Sequence, residues 1–477
     1  MAKRSKGPVR IIALCFAAVV LLASQGTFWN GSPGSASLRS LGPGGRQARA
    51  GTTLTTYLPF LSKTYALGAS SLMGIDMGDP DDDTKARLVA EAGAKWIRIS
   101  LHWSRVEPSN TTPGNFNWSE YDQMLARVAQ WGLSPIVVVS GNPSWAADTS
   151  CGPINRTSLQ EFGQFLAAAV SRYGRPPYQV KYWEIYNEPD NSNSTKYAFL
   201  GGCWGNNGRE YGQMLQVAYP AVKTADPGAN VVLGSLAYDN FTEVNGPFVR
   251  GFLDDVLDPR KGNGGPFFDI LGFHYYYLFR SFWEPYGKDL IGKANFLRSR
   301  LASYALSKPM ILTEVGMPSG TAGTFQGTDD MQSDYVVKAF VRSMAANLKV
   351  AIWFSLMDFD NQKLGLVDNS LAPKRSYEAF EALAPVLSGA IYNRLVDSTT
   401  YPGVEGYVFT VPGGTTEKWV LWASGDSAVM VTLPGLRVRV VDKLGWASIL
   451  KDGDDGQWDG WLNVRVTSSP VYLEVIS

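Results

Sequence analysis

Two glutamates end hydrophobic stretches of this sequence, at positions where a carboxylate is unexpected. Glu188 closes the stretch VKYWEIYNE (180–188), and Glu314 closes KPMILTE (308–314). Strands favour β-branched and aromatic residues and are depleted in acidic residues and proline. Two carboxyl groups held on opposite sides of a gap can act on a bond placed between them, one as proton donor and the other as nucleophile or base. Cleavage of a glycosidic bond requires such a pair.

Further strand-like stretches recur along the chain around these two glutamates. Most are continuous apolar runs, as expected for parallel strands that are buried on both faces. Helical patterns lie between them, for example at 83–96, 121–132 and 158–174. The eight strand-like stretches are 71–78, 95–103, 134–141, 180–188, 230–237, 267–277, 308–316 and 350–358. Eight strands that alternate with helices predict an α/β fold, a (β/α)8 TIM barrel.

The strand order places both glutamates at one end of the predicted barrel. Glu188 ends the fourth strand and Glu314 ends the seventh. In such barrels the active site is built from the carboxyl ends of the strands and the loops that follow them. Strands four and seven lie on opposite sides of the barrel, so their terminal acids can face each other across a gap the size of a sugar. The alternative is that both acids are structural members of ion pairs.

The chain divides into four predicted parts. Residues 1–26 are predicted to be a signal peptide or membrane anchor, and residues 27–62, rich in Gly, Ser and Pro, a disordered linker. The catalytic barrel is predicted over 63–387. Over 388–477, six short strand-like runs separated by Gly, Pro and Asp turns predict a small antiparallel β-sandwich domain.

The N-terminal part carries the signals of an exported protein. Four basic residues within the first ten precede an apolar run at 11–23. This run is shorter than the roughly 20 residues of a membrane span and is typical of the hydrophobic region of a signal peptide. No clear Ala-x-Ala cleavage site follows, so an uncleaved anchor stays open. We expect a secreted or extracytoplasmic protein, with a membrane tether through this segment as the alternative form.

Composition narrows the classes of partner. Lys+Arg and Asp+Glu are both 43, so the formal net charge is zero and no basic excess indicates a nucleic-acid partner. With only two histidines, His102 and His274, a histidine-rich metal site is disfavoured, and neither a metal nor a cofactor is predicted. The chain has 15 Trp, 22 Tyr and 22 Phe, enough rings to fill the core and also to stack on the apolar faces of ligands. The sequence predicts no oligomeric state.

Two cysteines lie in loops at the predicted active-site end. Cys151 follows strand three and Cys203 follows strand four. Loops after adjacent barrel strands emerge side by side on one face. In an exported protein such a pair predicts a disulfide, and two unpaired thiols are the alternative.

The chain resembles the clan A glycoside hydrolases, retaining barrel enzymes whose catalytic glutamates end strands four and seven. Asn187-Glu188-Pro189 matches the acid/base motif of the clan, and Glu314 matches its nucleophile. Further likeness lies in the stretches 98–125, 274–277 and 352–358. Families 39 and 5 are closest in pattern. The resemblance implies cleavage of β-glycosidic bonds in a carbohydrate substrate by double displacement, without a cofactor.

The resemblance also implies roles for residues around the two glutamates. Arg98, on strand two, and Tyr276, on strand six, are expected to contact Glu314. Asn187 is expected to bond the 2-hydroxyl of the sugar. Trp353, on strand eight, is expected to stack beneath the sugar at the cleavage point.

For other candidate residues of the cleft, the sequence leaves more than one role open. The strand parity of His274 predicts that it faces the barrel mouth. His102 is either a substrate ligand or a hydrogen-bonded histidine at a strand end. Trp145, in the loop after strand three, is either a platform for a neighbouring sugar or a packed loop residue. A purely structural role, paired with Glu184, stays open for Arg98.

Retaining hydrolysis sets opposite demands on the two glutamates. Glu188 must be protonated to act as an acid, and Glu314 must be ionised to attack. We expect Arg98 to favour the charged form of Glu314, and burial together with that charge to raise the pKa of Glu188. The alternative function is a non-catalytic carbohydrate-binding barrel. The sequence indicates neither the sugar and linkage nor whether cleavage is internal or terminal.

Overall fold

The protein is described from a computed structural model. The described residues are 71–78, 83–111, 114–192, 203–413 and 417–476. The predicted signal peptide or anchor and the linker, residues 1–62, lie outside them, and the bounds of the four predicted parts stay predictions. Across the described ranges, no helix has both the length and the apolar character needed to cross a bilayer.

Eight parallel strands close into a barrel, so the predicted (β/α)8 fold is confirmed. Each strand pairs with its neighbours in sequence, and the first strand pairs with the eighth. The strands are β1 (Met73–Asp76), β2 (Trp96–His102), β3 (Ser134–Ser140), β4 (Tyr182–Asn187), β5 (Asn230–Leu236), β6 (Ile270–Tyr276), β7 (Met310–Gly316) and β8 (Ala351–Phe354). A two-residue hairpin, Thr321–Ala322 with Phe325–Gln326, lies between β7 and β8.

Helices cover the outside of the barrel. They are α1 (Asp83–Glu91), α2 (Trp103–Val106), α3 (Ser119–Gln130), α4 (Leu159–Tyr173), α5 (Gly208–Ala225), α6 (Phe252–Leu257), α7 (Leu290–Ser303), α8 (Asp329–Ala345) and α9 (Arg375–Leu387). The first of them ends earlier than the predicted 83–96, because Gly93 adopts a φ of +85° that terminates helical geometry.

Apolar side chains fill the barrel interior below the strand ends. The interior cluster consists of Ile136, Val232, Ile270, Ile311, Val350 and Ile352. The opposite faces of the strands pack against the helices in a much larger apolar cluster. Arg98 comes two residues after Trp96, which packs on the interior cluster, so Arg98 faces inward one layer nearer the carboxyl ends of the strands.

The C-terminal part forms two antiparallel sheets that enclose a second apolar core, as the predicted β-sandwich requires. The strands are β9 (Ile391–Leu395), β10 (Val404–Thr410), β11 (Glu417–Ala423), β12 (Val429–Pro434), β13 (Arg437–Asp442), β14 (Ala447–Lys451), β15 (Trp461–Val466) and β16 (Val471–Ile476). One sheet has the order β9-β10-β11-β16-β13-β14, and the other pairs β12 with β15.

Two of these eight strands, β14 and β15, were not predicted. Strand β14 is an edge strand with four of its five residues exposed, so it lacks the apolar alternation that marks a half-buried strand. Strand β15 alternates in burial, but it begins with the exposed Trp461, which obscures the pattern in the sequence.

A buried ion network joins the sandwich to the barrel. Arg342 of α8 donates to Glu405 of β10, with Nε–Oε1 at 2.9 Å and Nη2–Oε2 at 3.0 Å. Arg342 also donates to Asp289, which accepts a hydrogen bond from the hydroxyl of Tyr275 on β6. Lys288 donates to Glu405 at 2.8 Å. The network thus runs from the sandwich to the barrel strand that carries His274 and Tyr276.

The charge of Glu405 should contribute to stability in a pH-dependent way. Burial alone would raise the pKa of Glu405, but the positive charges and hydrogen bonds of Arg342 and Lys288 bring it down to about 2. We expect Glu405→Gln to lower the free energy of unfolding at pH 7 by about 3–5 kcal/mol, because it leaves a buried guanidinium underpaired. The stabilisation by the native carboxylate is complete above its unfolded pKa of about 4.3 and is lost as the pH falls through about 2.

Urea unfolding of the two proteins between pH 7 and pH 2 measures this effect. The difference in unfolding free energy should shrink steadily below about pH 4.3. A difference that stays constant down to pH 2 would contradict the assignment to the Glu405 charge.

Candidate active site

Arg98 lies at the centre of the polar groups at the strand ends. Its Nε and Nη2 atoms donate to the two carboxylate oxygens of Glu184 on β4, at 3.0 and 2.6 Å. Its Nη1 atom donates to Oε1 of Glu314 on β7 at 2.7 Å, and Nη2 also donates to Oδ1 of Asn187 at 2.6 Å. The contact with Glu184 and the contact with Glu314 therefore coexist, and one guanidinium holds both carboxylates.

The carboxylate of Glu314 accepts strong hydrogen bonds from two side chains. Besides the bond from Arg98, its Oε2 atom accepts a hydrogen bond from the hydroxyl of Tyr276. The side chain is buried, with 4% of the residue exposed. Burial is the main reason why the pKa of Glu314 is raised to about 7, and the charge of Arg98 and the bond from Tyr276 limit this rise because they favour the ionised form.

The side chain of Glu188 extends toward Glu314 from the opposite side of the barrel. Its backbone adopts a φ of +43°, a conformation rare for a residue with a side chain, and its N–H donates to the carbonyl oxygen of Ser235 on β5 at 3.0 Å. The residue is 8% exposed. Burial, followed by the negative charges of Glu314 and Asp190, raises the pKa of Glu188 well above its usual range.

The two carboxyl groups approach each other closely enough to act on one bond. One oxygen of Glu188, one oxygen of Glu314 and a ring nitrogen of His274 all lie within 4.8 Å of one another. Retaining enzymes hold their carboxyl groups about 5–5.5 Å apart, and inverting enzymes about 6.5–9.5 Å apart. The three groups could also ligate a cation, but the guanidinium of Arg98 already occupies one oxygen of Glu314.

The surroundings assign the shared proton to Glu188. Two buried carboxyl groups this close cannot both be ionised without a large repulsion. Glu314 has a cation and a phenol to stabilise its charge, whereas the ring nitrogen that contacts Glu188, Nδ1 of His274 at 3.0 Å, belongs to an uncharged imidazole. Burial, then the positive charges of Arg98 and Lys293, lower the pKa of His274 well below its ordinary value. Glu188 is therefore the protonated member of the pair.

A second layer of charge lies behind Glu188, and most of these residues carry no recognisable signal in the sequence. Lys293 of α7 is fully buried and donates to the Ala237 carbonyl and, at 2.8 Å, to Asp239. Asp190 accepts the backbone N–H groups of Ala237 and Tyr238 at 3.1 and 2.7 Å. Only Asp190 could have been found in the sequence, since it follows Asn187-Glu188-Pro189 directly.

Asp76 was also missed. It ends β1, and its Oδ2 atom lies 3.9 Å from Nη1 of Arg98. Its carboxylate is one of the charges that raise the pKa of Glu314, after burial. A lone aspartate at the end of a four-residue strand carries no pattern that distinguishes it from a turn residue.

The prediction for Trp353 was wrong. Its ring has no exposed surface, packs in the layer between strands and helices, and donates through Nε1 to the Leu364 carbonyl oxygen at 3.0 Å. The next residue, Phe354, is half-buried and lies beside Tyr276, with ring centroids 6.3 Å apart. Ile352 faces the barrel interior, so regular alternation along β8 turns Trp353 outward and Phe354 inward.

The structure places His102 and Trp145 near the mouth, and the choice of role stays a prediction. His102 ends β2 and is half-buried, and its N–H donates to the Tyr121 hydroxyl at 2.9 Å. Burial and the charge of Arg105 lower the pKa of His102 to about 4. Trp145 packs edge-on against Trp103, with ring centroids 5.0 Å apart, as a packed loop residue would.

Cys151 and Cys203 form a disulfide, as predicted. Their Cα atoms are 4.6 Å apart, and the bond joins the loop after β3 to the segment after β4. The Cys203 N–H donates to the carbonyl oxygen of Asn191 at 3.1 Å, three residues after Glu188. The adjacent Trp204 is buried against Tyr186 of β4, with ring centroids 5.3 Å apart. The disulfide therefore fixes a wall of the cleft beside Glu188.

Comparison with known proteins assigns the chain to a family. The family model described as Cellulase (glycosyl hydrolase family 5) matches residues 63–360, more than half of the chain. The chain belongs to glycosyl hydrolase family 5. The predicted resemblance to clan A barrel glycosidases is thereby confirmed.

Individual relatives of this family 5 chain are distant. It is 27% identical over 170 residues to the aryl-phospho-beta-D-glucosidase BglA of Bacillus subtilis (strain 168), a segment that covers 35% of this chain and 34% of BglA. It is 27% identical over 122 residues to a 6-phospho-beta-glucosidase of Clostridium longisporum, which covers 25% of each. The matched segments thus span about a third or less of these curated relatives.

Solved structures share the fold of this family 5 chain over most of its length. A family 39 glycoside hydrolase from Bacteroides cellulosilyticus WH2 aligns with a TM-score of 0.66 and 21% identity, over 85% of this chain and 81% of that one. A monomeric beta-xylosidase from Caulobacter crescentus CB15 aligns with a TM-score of 0.57 and 15% identity, over 86% and 98%. At these identities the likeness concerns the fold.

Removal of the Tyr276 hydroxyl should weaken the ionised form of Glu314. Tyr276→Phe deletes a hydrogen bond to a charged group, worth about 1.5–3 kcal/mol, so kcat/KM on an aryl β-glycoside should fall roughly tenfold to a hundredfold. The pKa of Glu314 rises as well, which moves the acidic limb of the pH profile to higher pH. Tyr277→Phe, the adjacent residue, is the matched control and should leave rate and profile unchanged. An unshifted acidic limb in Tyr276→Phe would contradict the role.

Loss of the disulfide should affect both stability and activity. The double variant Cys151→Ser/Cys203→Ser removes the bond that closes a loop between two positions 52 residues apart. The chain-entropy model gives about 4 kcal/mol of stabilisation for such a loop, and the cleft wall beside Glu188 loses its anchor. We expect a lower free energy of unfolding in urea and a higher KM. Equal stability and kinetics in the non-reduced wild type and the variant would contradict the prediction.

Proposed function

We propose that this chain is a retaining β-glycoside hydrolase in which Glu188 is the acid/base and Glu314 the nucleophile. The observation that carries the proposal is a pair of buried carboxyl groups with oxygens within 4.8 Å, of which only Glu314 is bonded by a guanidinium and a phenol. This asymmetry separates the two roles. Membership of a glycosyl hydrolase family supports the same class of reaction.

The first chemical step forms a glycosyl-enzyme. An oxygen of Glu314 attacks the anomeric carbon as the bond to the leaving oxygen breaks, and Glu188 transfers its proton to that oxygen. Asn187 is positioned by Arg98 through its Oδ1 atom, so its amide NH2 group is the end that can donate to the sugar 2-hydroxyl. The negative charge of Glu314 disappears in this step, and with it the main charge that kept Glu188 protonated.

The second step reverses the roles. Glu188, now ionised, removes a proton from a water molecule that attacks the anomeric carbon from the face the leaving group vacated. The bond to Glu314 breaks, and its carboxylate regains the bonds from Arg98 and Tyr276. Two inversions at one carbon leave the configuration of the product equal to that of the substrate.

The substrate is proposed only as a class, the β-linked sugars of oligo- or polysaccharides. Relatives named as glucosidases, phospho-glucosidases and xylosidases leave the sugar open. The disulfide suits an oxidising compartment, and it supports secretion or an extracytoplasmic position, with the N-terminal segment as a signal peptide or tether. A panel of aryl β-glycosides and glycans would identify the sugar.

Substitution of Glu188 tests its role as the acid, because the loss of rate should depend on how much the leaving group needs a proton. Glu188→Ala should slow hydrolysis about 10²–10⁴-fold for substrates with poor leaving groups, because general acid assistance has that magnitude. Aryl glycosides with good leaving groups should be affected much less in their first step. Azide should restore part of the rate by attacking the glycosyl-enzyme. Glu91→Ala, on the outer helix α1, is the control and should behave as the wild type.

The nucleophile is tested by covalent trapping. A 2-fluoro-substituted aryl β-glycoside should label Glu314, identified by mass spectrometry of the peptides. Label on another residue, or equal losses on both substrate types without azide rescue in Glu188→Ala, would refute the assignment. Complete inactivity on a broad panel, with binding of glycans retained, would instead favour the non-catalytic carbohydrate-binding barrel.

A further inference from the structure

A crevice of about 380 Å³ lies between helix α9 of the barrel and the six-stranded sheet of the sandwich. It lies on the outside of the barrel and shares no residue with the site around Glu188 and Glu314. Its volume falls within the range of about 300–1,000 Å³ that is usual for small-molecule sites. Its walls combine apolar surface from Pro385 and Leu444 with charged side chains, so it offers both kinds of contact.

A large aromatic ring stands exposed at the rim of the crevice. Trp446 is 62% exposed, although it belongs to a rigid turn. The Asp442 carboxylate accepts the backbone N–H groups of Leu444 and Trp446, both at 2.9 Å, and Lys443 donates to Asp334 of α8 at 2.6 Å. The backbone of the turn is thus fixed to the barrel, and much of the indole surface lies in solvent.

A buried tyrosine also lines the crevice. Tyr472 is only 4% exposed, and within the part of the chain that the structure describes its hydroxyl group has no hydrogen-bond partner. A buried polar group without a partner is costly, and in native proteins such groups are nearly always satisfied by protein, water or ligand. The Tyr472 oxygen itself has almost no accessible surface, so a ligand in the crevice does not reach it.

The charges of the lining favour a neutral ligand. Glu378 and Glu381 lie one turn apart on α9, and Glu474 faces Arg439 across neighbouring strands at 3.9 Å. Lys418 adds a second cation. Three acids and two cations leave no excess positive charge for an anion. A sugar ring fits this set, because its C–H face can stack on an indole while its hydroxyls bond carboxylates and cations.

We propose that this crevice, formed by α9, the Trp446 turn and the Tyr472 strand, is a second carbohydrate-binding site that holds a segment of a neutral glycan. The choice of ligand class rests on the proposed function of the barrel. Trp446 supplies the stacking platform, and the charged side chains of the walls supply hydrogen bonds to the sugar hydroxyls. The site retains the polymer on the enzyme, while cleavage takes place in the barrel.

Affinity electrophoresis of the full chain tests the proposal. Native gels contain one soluble neutral polysaccharide each, namely mixed-linkage β-glucan, glucomannan, galactomannan or arabinoxylan. We expect at least one of them to retard the wild type, and Trp446→Ala to weaken that retardation at least tenfold in apparent Kd. Trp458→Ala removes a ring that is 84% exposed but does not line the crevice, and should match the wild type.

Hydrolysis of a small aryl β-glycoside, measured in parallel, separates this proposal from the function of the barrel. The Trp446→Ala rate should equal that of the wild type. Retardation that depends on Trp446 in a protein without hydrolytic activity would sustain the second site and overturn the proposed enzyme function. Absence of retardation by all four polysaccharides, equal retardation of wild type and Trp446→Ala, or an equal loss in Trp458→Ala would overturn the second site.

Discussion

The arrangement at the strand ends depends on one buried guanidinium shared between two carboxylates. Arg98 is bonded to both oxygens of Glu184 and to one oxygen of Glu314, and Asp76 lies nearby. One positive charge among this many acids leaves the barrel mouth with an excess of negative charge. In a site with little water, such an excess is relieved by retention of a proton. Because Arg98 bonds Glu314 and not Glu188, the proton stays on Glu188.

Elements far apart in sequence create this environment together. The barrel aligns eight strand ends around one space, and the interior below is filled with branched apolar side chains that exclude water. Lys293, from helix α7, adds a second buried cation behind Glu188 and moderates the rise in its pKa, to which burial contributes most. The fold therefore sets both the distance between the two acids and the difference between their environments.

The sequence predicted the parts of this site that follow from periodicity. Continuous apolar runs gave the eight strands, and a glutamate at the end of a run is visible without a structure. Trp353 was assigned from the family resemblance, and regular alternation along β8 contradicts that role, because Ile352 faces the barrel interior and Trp353 therefore faces the helices. Lys293 and Asp239 were not predicted from the sequence, because the ion pair between them joins positions more than fifty residues apart in the chain.

The junction network limits how freely these two parts of the chain can be exchanged. Arg342 donates hydrogen bonds to Glu405 of the sandwich and to Asp289. Asp289 in turn accepts a hydrogen bond from the hydroxyl of Tyr275, which lies between His274 and Tyr276 on its strand. A barrel recombined with a foreign sandwich would keep Arg342 and Asp289 but lose the acid that completes their charge balance. Domain shuffling, in evolution or in the laboratory, would therefore have to carry Glu405 or an equivalent acid along, which couples the choice of sandwich to the barrel strand that carries His274 and Tyr276.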